Sequence, residues 1–451
     1  MSVDIFRVVR EVAGDGYFFL LHEKHTAMYR HLTRFAGRML LLFSLLFAHT
    51  GFLWGFVGKG AAVADEATPE LPTGSRTQDS LALVALYDST DGPNWNTTWD
   101  LNQPMDTWYG VTVNGAGRVA VLDLGSNELN GSIPSALGSL SNLERLDLGD
   151  NDLTGGIPPE LGNLSNLEWL ILFSNQLTGS IPSALGNLSN LVSLSSGYND
   201  LTGSIPSALG NLSNLRGLFL NTNELNGSIP SALGNLSNLE SLNLAGNDLT
   251  GSIPSALGNL SNLESLDLWS NDLTGSIPSA LGNLSNLESL DLWSNDLTGS
   301  IPSALGNLSN LELLDLYRNQ LTGSIPEELG SLSNLQTLNA SDNQLSGCFP
   351  ASLFSLCGAT VDFTNNPGLP GGGDFAAFCS SAAGSCSLIC SAVISPVDGG
   401  LLIDSLQPTL VWNSSLNATG YKISMGTSPG SGDVVNAVDV GQDTFYTPGT
   451  P

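Results

Sequence analysis

The sequence predicts a solenoid of the α/β type, with a parallel β-sheet along one side and 3₁₀ or irregular turns along the other. The first observation is a period of about 24 residues, which is typical of similar coils stacked on one another. The second is the alternation of leucine and polar residues around Leu266 and Leu268, which predicts a short strand with one inward face. The third is a short, glycine-containing stretch after each strand, which favours 3₁₀ turns over a full α-helix.

An asparagine follows each predicted strand, where the chain turns inward. Its amide can bond to backbone groups that would otherwise be buried without partners. The sequence therefore predicts a structural ladder of asparagines, one for each coil. Its members are Asn127, Asn151, Asn175, Asn199, Asn223, Asn247, Asn271, Asn295, Asn319 and Asn343.

Residues 263–284 read LESLDLWSNDLTGSIPSALGNL, and units of this kind fill residues 119–347. They resemble the plant-type leucine-rich repeat family, in ten consecutive units of about 24 residues each. The resemblance implies a superhelix whose concave parallel sheet is the usual binding surface. Ser196 and Ala340 stand at strand positions that are otherwise leucine, so we expect weak coils there.

The segments DSLALVALY (79–87) and WYGVT (108–112) resemble the N-terminal cap of the same family. This resemblance predicts a cap over residues 77–118. Caps of plant members usually carry a cysteine pair, whereas Val113 stands where a cysteine would be expected. We therefore expect Trp95, Trp99 and Trp108 to hold the cap by packing instead.

The first part of the chain, residues 1–64, has the layout of a secretory leader. An apolar run over 39–57 follows three arginines, and Ala62-Val63-Ala64 is a small-residue cleavage site. Residues 65–76 would then be a spacer. The alternative is an uncleaved signal anchor, because an apolar run of about 19 residues can just span a bilayer. Both forms predict that the repeats lie outside the cell, in a secreted or cell-surface protein. Only the uncleaved form would contact the membrane, through this anchor.

The five cysteines lie together after the repeats, which predicts a disulfide-stapled cap and linker over 348–390 in an oxidising compartment. They are Cys348, Cys357, Cys379, Cys386 and Cys390. We expect the first two to pair. A zinc site is the competing interpretation, but no histidine and no CxxC spacing supports it.

Residues 391–451 change in character. Leu410-Val-Trp412, Tyr421 and Thr447-Pro448 resemble the first strands of a fibronectin type III-like module. The expected closing strands do not follow, so we interpret this small all-β segment as a truncated module.

Charge and histidine content narrow the function. The formal net charge of −29 disfavours nucleic acid and anionic lipid as partners. All histidines precede residue 65, so serine–histidine and cysteine–histidine catalysis are excluded in a processed chain. Pairs of acidic residues recur with the repeat, which indicates exposed surface positions and not a catalytic pair of carboxylates. We expect no enzyme activity, no metal and no cofactor.

Three columns of the predicted concave sheet combine carboxylates with aromatic rings. Such a platform suits a sugar or a basic peptide. The candidate residues are Glu264, Asp267, Trp269, Glu288, Asp291, Trp293, Glu312, Asp315 and Tyr317. The alternative is duplication without selection for binding, because residues 255–278 and 279–302 are identical.

Two further rows recur with the period. Asn-Leu-Ser sequons on the outer turn would be glycosylated in a eukaryotic host, although they are also simply part of the repeat. A row of threonines, including Thr250, Thr274 and Thr298, would suit ice or a crystalline polysaccharide if it is flat. The leading hypothesis is an extracellular protein that binds a protein, peptide or carbohydrate through its concave face. The alternatives are an adhesive spacer or a receptor ectodomain fragment.

Overall fold

The computed structural model describes residues 78–380 and the backbone of five short strands beyond them. These strands form two antiparallel sheets and span Leu401–Asp404, Thr409–Trp412, Tyr421–Met425, Val435–Gly441 and Phe445–Tyr446. The fibronectin type III-like module stays a prediction. The leader, the spacer, Cys386 and Cys390 lie outside the described residues.

The main feature is a twelve-stranded sheet, here called the concave sheet. Its first strand is antiparallel to the second, and all later neighbours are parallel. Equivalent leucines face each other, as Leu266 faces Leu290. The predicted solenoid is confirmed. The strands are Val111–Val113, Val119–Asp123, Arg145–Asp147, Trp169–Ile171, Ser193–Ser195, Gly217–Phe219, Ser241–Asn243, Ser265–Asp267, Ser289–Asp291, Leu313–Asp315, Thr337–Asn339 and Thr360–Asp362.

A second parallel sheet, here called the lateral sheet, follows the asparagine in each coil and was not predicted from the sequence. Seven of its eight strands carry one buried leucine, the exception being Asn130–Ser132, and each strand contains or adjoins a glycine with positive φ, such as Gly275 at +77°. Because glycine is unfavourable within strands, the sequence did not predict strands here. Its eight strands are Asn130–Ser132, Asp152–Gly155, Gln176–Ser180, Asp200–Gly203, Glu224–Ser228, Asp248–Gly251, Asp272–Ser276 and Asp296–Thr298, and Thr322–Gly323 pairs separately with Gln344–Leu345.

The convex side consists of 3₁₀ helices, as predicted. Each begins after a proline with extended backbone, as Ser279–Asn283 follows Pro278. Successive turns pack so closely that a Cβ on Gly282 would collide with the carbonyl oxygen of Ala304. The repeated turns are Ser135–Ser139, Pro159–Asn163, Ser183–Asn187, Ser207–Asn211, Ser231–Asn235, Ser255–Asn259, Ser279–Asn283, Ser303–Asn307, Glu327–Ser331 and Ala351–Leu356.

The asparagine ladder joins each coil to the one before it. Asn247 is 6% exposed, and its Nδ2 donates to the carbonyl oxygens of Leu220, Leu244 and Ala245 at 3.1, 3.0 and 3.3 Å. Its Oδ1 accepts the N–H of Leu225 at 3.1 Å. The same pattern recurs along the array and extends to Asn366, whose interval from Asn343 is one residue shorter than the others and so escaped a search at a strict period.

The N-terminal end of the solenoid is covered by the helix Gln78–Ser89 and the 3₁₀ turns Gly92–Asn94 and Met105–Thr107. The three tryptophans pack together as expected, since the Trp99 ring centroid lies 4.9 Å from those of Trp95 and Trp108. The fully buried Asp79 accepts bonds from Arg118 Nε at 2.8 Å, Arg118 Nη2 at 2.7 Å and Val119 N–H at 2.9 Å. The helix is thereby fastened to the first coil.

At the other end, the turn Pro370–Gly372 and the helix Phe375–Ser380 fold back onto the last coil. Phe378 stacks on Phe354 at 4.3 Å, which brings Cys379 beside Cys357. These two cysteines form a disulfide with a Cα–Cα distance of 5.6 Å. The expected Cys348–Cys357 pair is therefore wrong, although Cys348 is itself disulfide-bonded.

The two interrupted coils differ in what fills the leucine position. Ser196 is 1% exposed and its Oγ has no hydrogen-bond partner among the residues that the structure describes, whereas Ala340 is simply a smaller apolar residue that is fully buried. A buried hydroxyl without a partner lowers stability. The weakness of these coils stays a prediction.

Candidate ligand-binding faces

The nine candidate residues lie on three consecutive coils of the concave sheet. Asp267 faces Asp291, and Asp291 faces Asp315, each in direct register on neighbouring strands. The three glutamates are also adjacent, because Glu288 N–H bonds the Glu264 carbonyl at 2.8 Å and Glu312 N–H bonds that of Glu288 at 2.8 Å. The structure thus brings all nine residues into one strip, here called the acidic-aromatic strip.

The aromatic rings of the strip lie in one row, in which the two tryptophans are stacked and the tyrosine is tilted. The rings of Trp269 and Trp293 are parallel within 6°, with centroids 5.0 Å apart. Tyr317 lies 6.4 Å from Trp293 at a tilt of 37°. Trp293 Nε1 is buried and has no hydrogen-bond partner among the described residues. An indole N–H normally finds a partner when it is buried, so this donor is an exception within the strip.

The carboxylates of the strip differ in exposure. Glu264, Glu288 and Glu312 are exposed, Asp267 and Asp315 are half-buried, and Asp291 is buried. The aspartates are held in place locally, as Asp315 Oδ1 accepts the N–H of Tyr317 at 3.0 Å. Like charges on adjacent strands repel each other. A cation on this face would relieve that repulsion. The sequence between Arg216 and Arg318 supplies none, because it contains no lysine or arginine.

A groove of about 480 Å³ lies beside the strip on the same sheet and was not predicted. Its walls include Trp169, which is 39% exposed, Phe219, and the ion pair of Arg216 with Glu240 at 2.7 Å. Small residues, including Ser193, Gly217, Ser241, Ser265 and Ser289, also line it. Trp169 and Arg216 interrupt the repeat and could have indicated this groove. Repeated columns alone do not include them.

The rings that extend from the strip toward the N-terminus do not form one column. Phe173 follows its strand as Trp269 does, Phe219 ends its strand, and Tyr198 adopts positive φ just before the ladder asparagine. The space above Gly149 is filled by Phe173 and that above Gly217 by Phe219, because a Cβ at either glycine would lie 2.6 Å from the ring. Of these three rings, only that of Phe219 lines the groove.

The threonine row lies on the outer side of the lateral sheet. Thr250, Thr274 and Thr298 are exposed, and their hydroxyls make no hydrogen bond within the described residues. The register differs from a simple row, since Thr274 faces Asp296 while Ser276 faces Thr298. Neighbouring hydroxyls across the strands therefore come from serine and threonine, rather than from threonine alone.

Neither a membrane helix nor a metal cluster is found in the part of the chain that the structure describes. No helix there is both long and apolar enough to cross a bilayer. No group of three or more His, Cys, Asp or Glu side chains there is arranged to hold a metal ion.

The repeats match the family described as a leucine-rich repeat region over residues 120–250 and 221–358, which together exceed half of the 451 residues. The chain is a leucine-rich repeat protein. Among curated proteins, nothing matches this leucine-rich repeat chain.

Solved leucine-rich repeat structures are similar to this protein. The ectodomain of the receptor kinase GASSHO1/SCHENGEN3 from Arabidopsis thaliana, in complex with CASPARIAN STRIP INTEGRITY FACTOR 2, is 45% identical with a TM-score of 0.63, and the match covers 64% of this chain and 36% of that chain. The ectodomain of the Arabidopsis receptor kinase HAESA, in complex with an N-terminally extended IDA peptide hormone, is 36% identical with a TM-score of 0.57, and covers 64% and 49%. The chain thus spans about half or less of these ectodomains.

A plant ice-binding protein is also similar to this leucine-rich repeat chain. The two are 32% identical with a TM-score of 0.54, and the match covers 61% of this chain and 89% of that chain. Unlike the receptor ectodomains, that protein is matched over most of its length.

Proposed function

We propose that this protein binds a cationic peptide on the acidic-aromatic strip and acts outside the cell, without catalysis. The observation that supports this proposal is the row of three aromatic rings in the strip, which lies beside the aspartate and glutamate columns. Arginine and lysine bind such a surface by cation–π contact together with charge pairing. The similar ectodomains solved with peptide hormones support a peptide as the ligand class.

The first test removes the charge of the glutamate column. Glu264→Gln, Glu288→Gln and Glu312→Gln together should weaken binding of an arginine-rich peptide roughly ten-fold, because each exposed ion pair contributes about 0.5 kcal/mol and about 1.4 kcal/mol is a factor of ten. Isothermal titration calorimetry at low salt measures the loss.

The matched control removes three charges from another face. Asp248→Asn, Asp272→Asn and Asp296→Asn change three exposed carboxylates of the lateral sheet, so the net charge changes equally. Affinity should stay that of the wild type. An equal loss in both triple variants would mean that the peptide senses only net charge, and the strip would not be the site. Replacing Trp269, Trp293 and Tyr317 by alanine should also abolish binding.

A second candidate function is ice binding by the lateral sheet. The favouring observations are the exposed hydroxyls of Thr250, Thr274 and Thr298, which make no hydrogen bond within the described residues, and the similarity to a plant ice-binding protein over 89% of that chain. A rigid sheet with regular hydroxyls presents ordered donors and acceptors to a lattice.

Ice recrystallisation assays test this second candidate. The wild type should slow crystal growth, and Thr250→Lys, Thr274→Lys and Thr298→Lys together should abolish the effect because long charged side chains break the flat surface. The triple glutamine variant of the concave face serves as the control and should retain full activity. Wild-type protein that leaves crystal growth unchanged would reject ice binding.

A further inference from the structure

We infer that the ligand is an extended peptide with two separated anchors, a basic side chain on the acidic-aromatic strip and an aromatic side chain in the adjoining groove. This inference rests on the peptide-binding function proposed above. It adds a second subsite, its chemistry and its distance from the first.

The groove has the composition of an aromatic subsite. Trp169 is among the few large hydrophobic side chains with substantial exposure, at 39%, and it stands at the groove with no aromatic partner in the described part of the chain. Phe219 occupies the space over Gly217, so the ring lies close to the sheet. Two rings on one sheet accommodate a third ring by offset or edge-to-face packing.

The sheet beside these rings admits a peptide backbone. Ser193 and Ser241 line the groove and stand in the register row that Trp169 begins. Their small side chains leave the volume of the groove open, and hydroxyls can bond to peptide groups of the ligand.

The groove and the strip are one continuous surface. Glu264 and Glu288 line the groove and also belong to the glutamate column of the strip. Charge changes along this surface, because Arg216 pairs with Glu240 at the groove whereas no basic residue stands beside Glu264 or Glu288. A ligand is therefore expected to place its ring near Arg216 and its positive charge toward Trp293.

The sheet geometry sets the distance between the two anchors. The strand of Phe219 lies three strands from Ser289–Asp291, which leads to Trp293, and the strand of Trp169 lies five strands away. At about 4.8 Å per strand these steps are roughly 14 and 24 Å, which an extended peptide covers in about four to seven residues.

A peptide series tests this spacing with the full chain. Each peptide carries an Arg-Arg pair and one tryptophan, separated by glycine-serine spacers of about one, five or twelve residues. The middle spacer should bind roughly ten-fold more tightly than the short one, because only it lets both anchors bind together, while the long one should lose part of this advantage. A peptide with Arg-Arg alone measures the strip.

Variants separate the two subsites. Trp169→Ala with Phe219→Ala should erase the advantage of the middle spacer and leave the affinity for the Arg-Arg peptide unchanged. Phe173→Ala is the matched control, because this ring is 40% exposed but lies outside the groove. It should change neither affinity.

The outcomes distinguish this inference from the proposed function. Equal affinity for all spacers, or an advantage that survives the double variant, would overturn the second subsite while the strip remains the binding site. If the Arg-Arg peptide fails to bind and the tryptophan peptides bind through the groove alone, the proposed function fails and the two-anchor ligand fails with it.

Discussion

Asn247→Ala is expected to lower the free energy of unfolding by about 3 kcal/mol or more, because a buried polar group that loses its partner costs about 1–3 kcal/mol. Asn247 makes four hydrogen bonds to backbone groups, two of them on the preceding coil. The substitution removes all of them and leaves a cavity that alanine cannot fill. Guanidinium unfolding followed by circular dichroism measures the loss.

The matched control for this variant lies in the same coil. Asn262 is exposed, and its Nδ2 makes a single bond to the Ser237 carbonyl at 2.8 Å. Asn262→Ala should cost about 1 kcal/mol or less, since water replaces the lost partner. Equal losses in the two variants would show that the inner asparagine holds the coils together no better than an outer surface bond.

Asp79→Asn should cost about 1–3 kcal/mol, because the fully buried carboxylate loses its charge-assisted hydrogen bonds, although the Arg118 side chain is itself 35% exposed. Asp79 accepts two bonds from the guanidinium of Arg118 and one from Val119 N–H, and it joins the first helix to the first coil. Glu240→Gln is the control, since Glu240 meets Arg216 at the same 2.7 Å but on an exposed surface. Its effect should stay below about 1 kcal/mol.

The pH dependence provides a second measurement on Asp79. Burial alone would raise the pKa of Asp79, but the bonds from Arg118 and Val119 outweigh it and hold that pKa below its ordinary value. A lowered pKa in the folded state stabilises the protein above the ordinary pKa of about 4, and this contribution disappears as the pH falls through the folded value. The difference between wild type and Asp79→Asn should therefore be constant near neutral pH and shrink below about pH 4. A difference that persists unchanged in acid would assign the effect to packing.

Most of the fold could be predicted from the repeat period. Alternation around Leu266 located the concave strands, and the asparagine position followed from the need to satisfy buried backbone groups. The lateral sheet was not predicted because its strands contain or adjoin a glycine and carry at most one buried leucine each, so the alternation is too short to detect. Its hydrogen bonds come from neighbouring coils and leave no local sequence pattern.

The candidate site was predictable only where its residues repeat. The columns of Glu264, Asp267 and Trp269 were found because identical residues recur in register. Trp169 and Arg216 do not recur at the equivalent positions of neighbouring coils. They lie close together because coils that are two repeats apart in the sequence stack near each other. The pairing of Cys357 with Cys379 similarly depends on the stacking of Phe354 on Phe378, which brings the last helix back to the preceding turn.

The ladder makes every coil interchangeable with its neighbours. Each asparagine offers the same donors and acceptor to the coil before it, and at the first coil Asn127 bonds instead to the backbone N–H of Thr97 at 2.7 Å and its carbonyl at 3.2 Å. Removing or inserting one whole unit, such as one of the identical segments 255–278 and 279–302, leaves every inter-coil bond with an equivalent partner. A gene that gains or loses a unit by recombination would thus lengthen or shorten the row of stacked rings without a new folding problem. Under the proposed function, the number of coils would then set the length of peptide that the strip accepts.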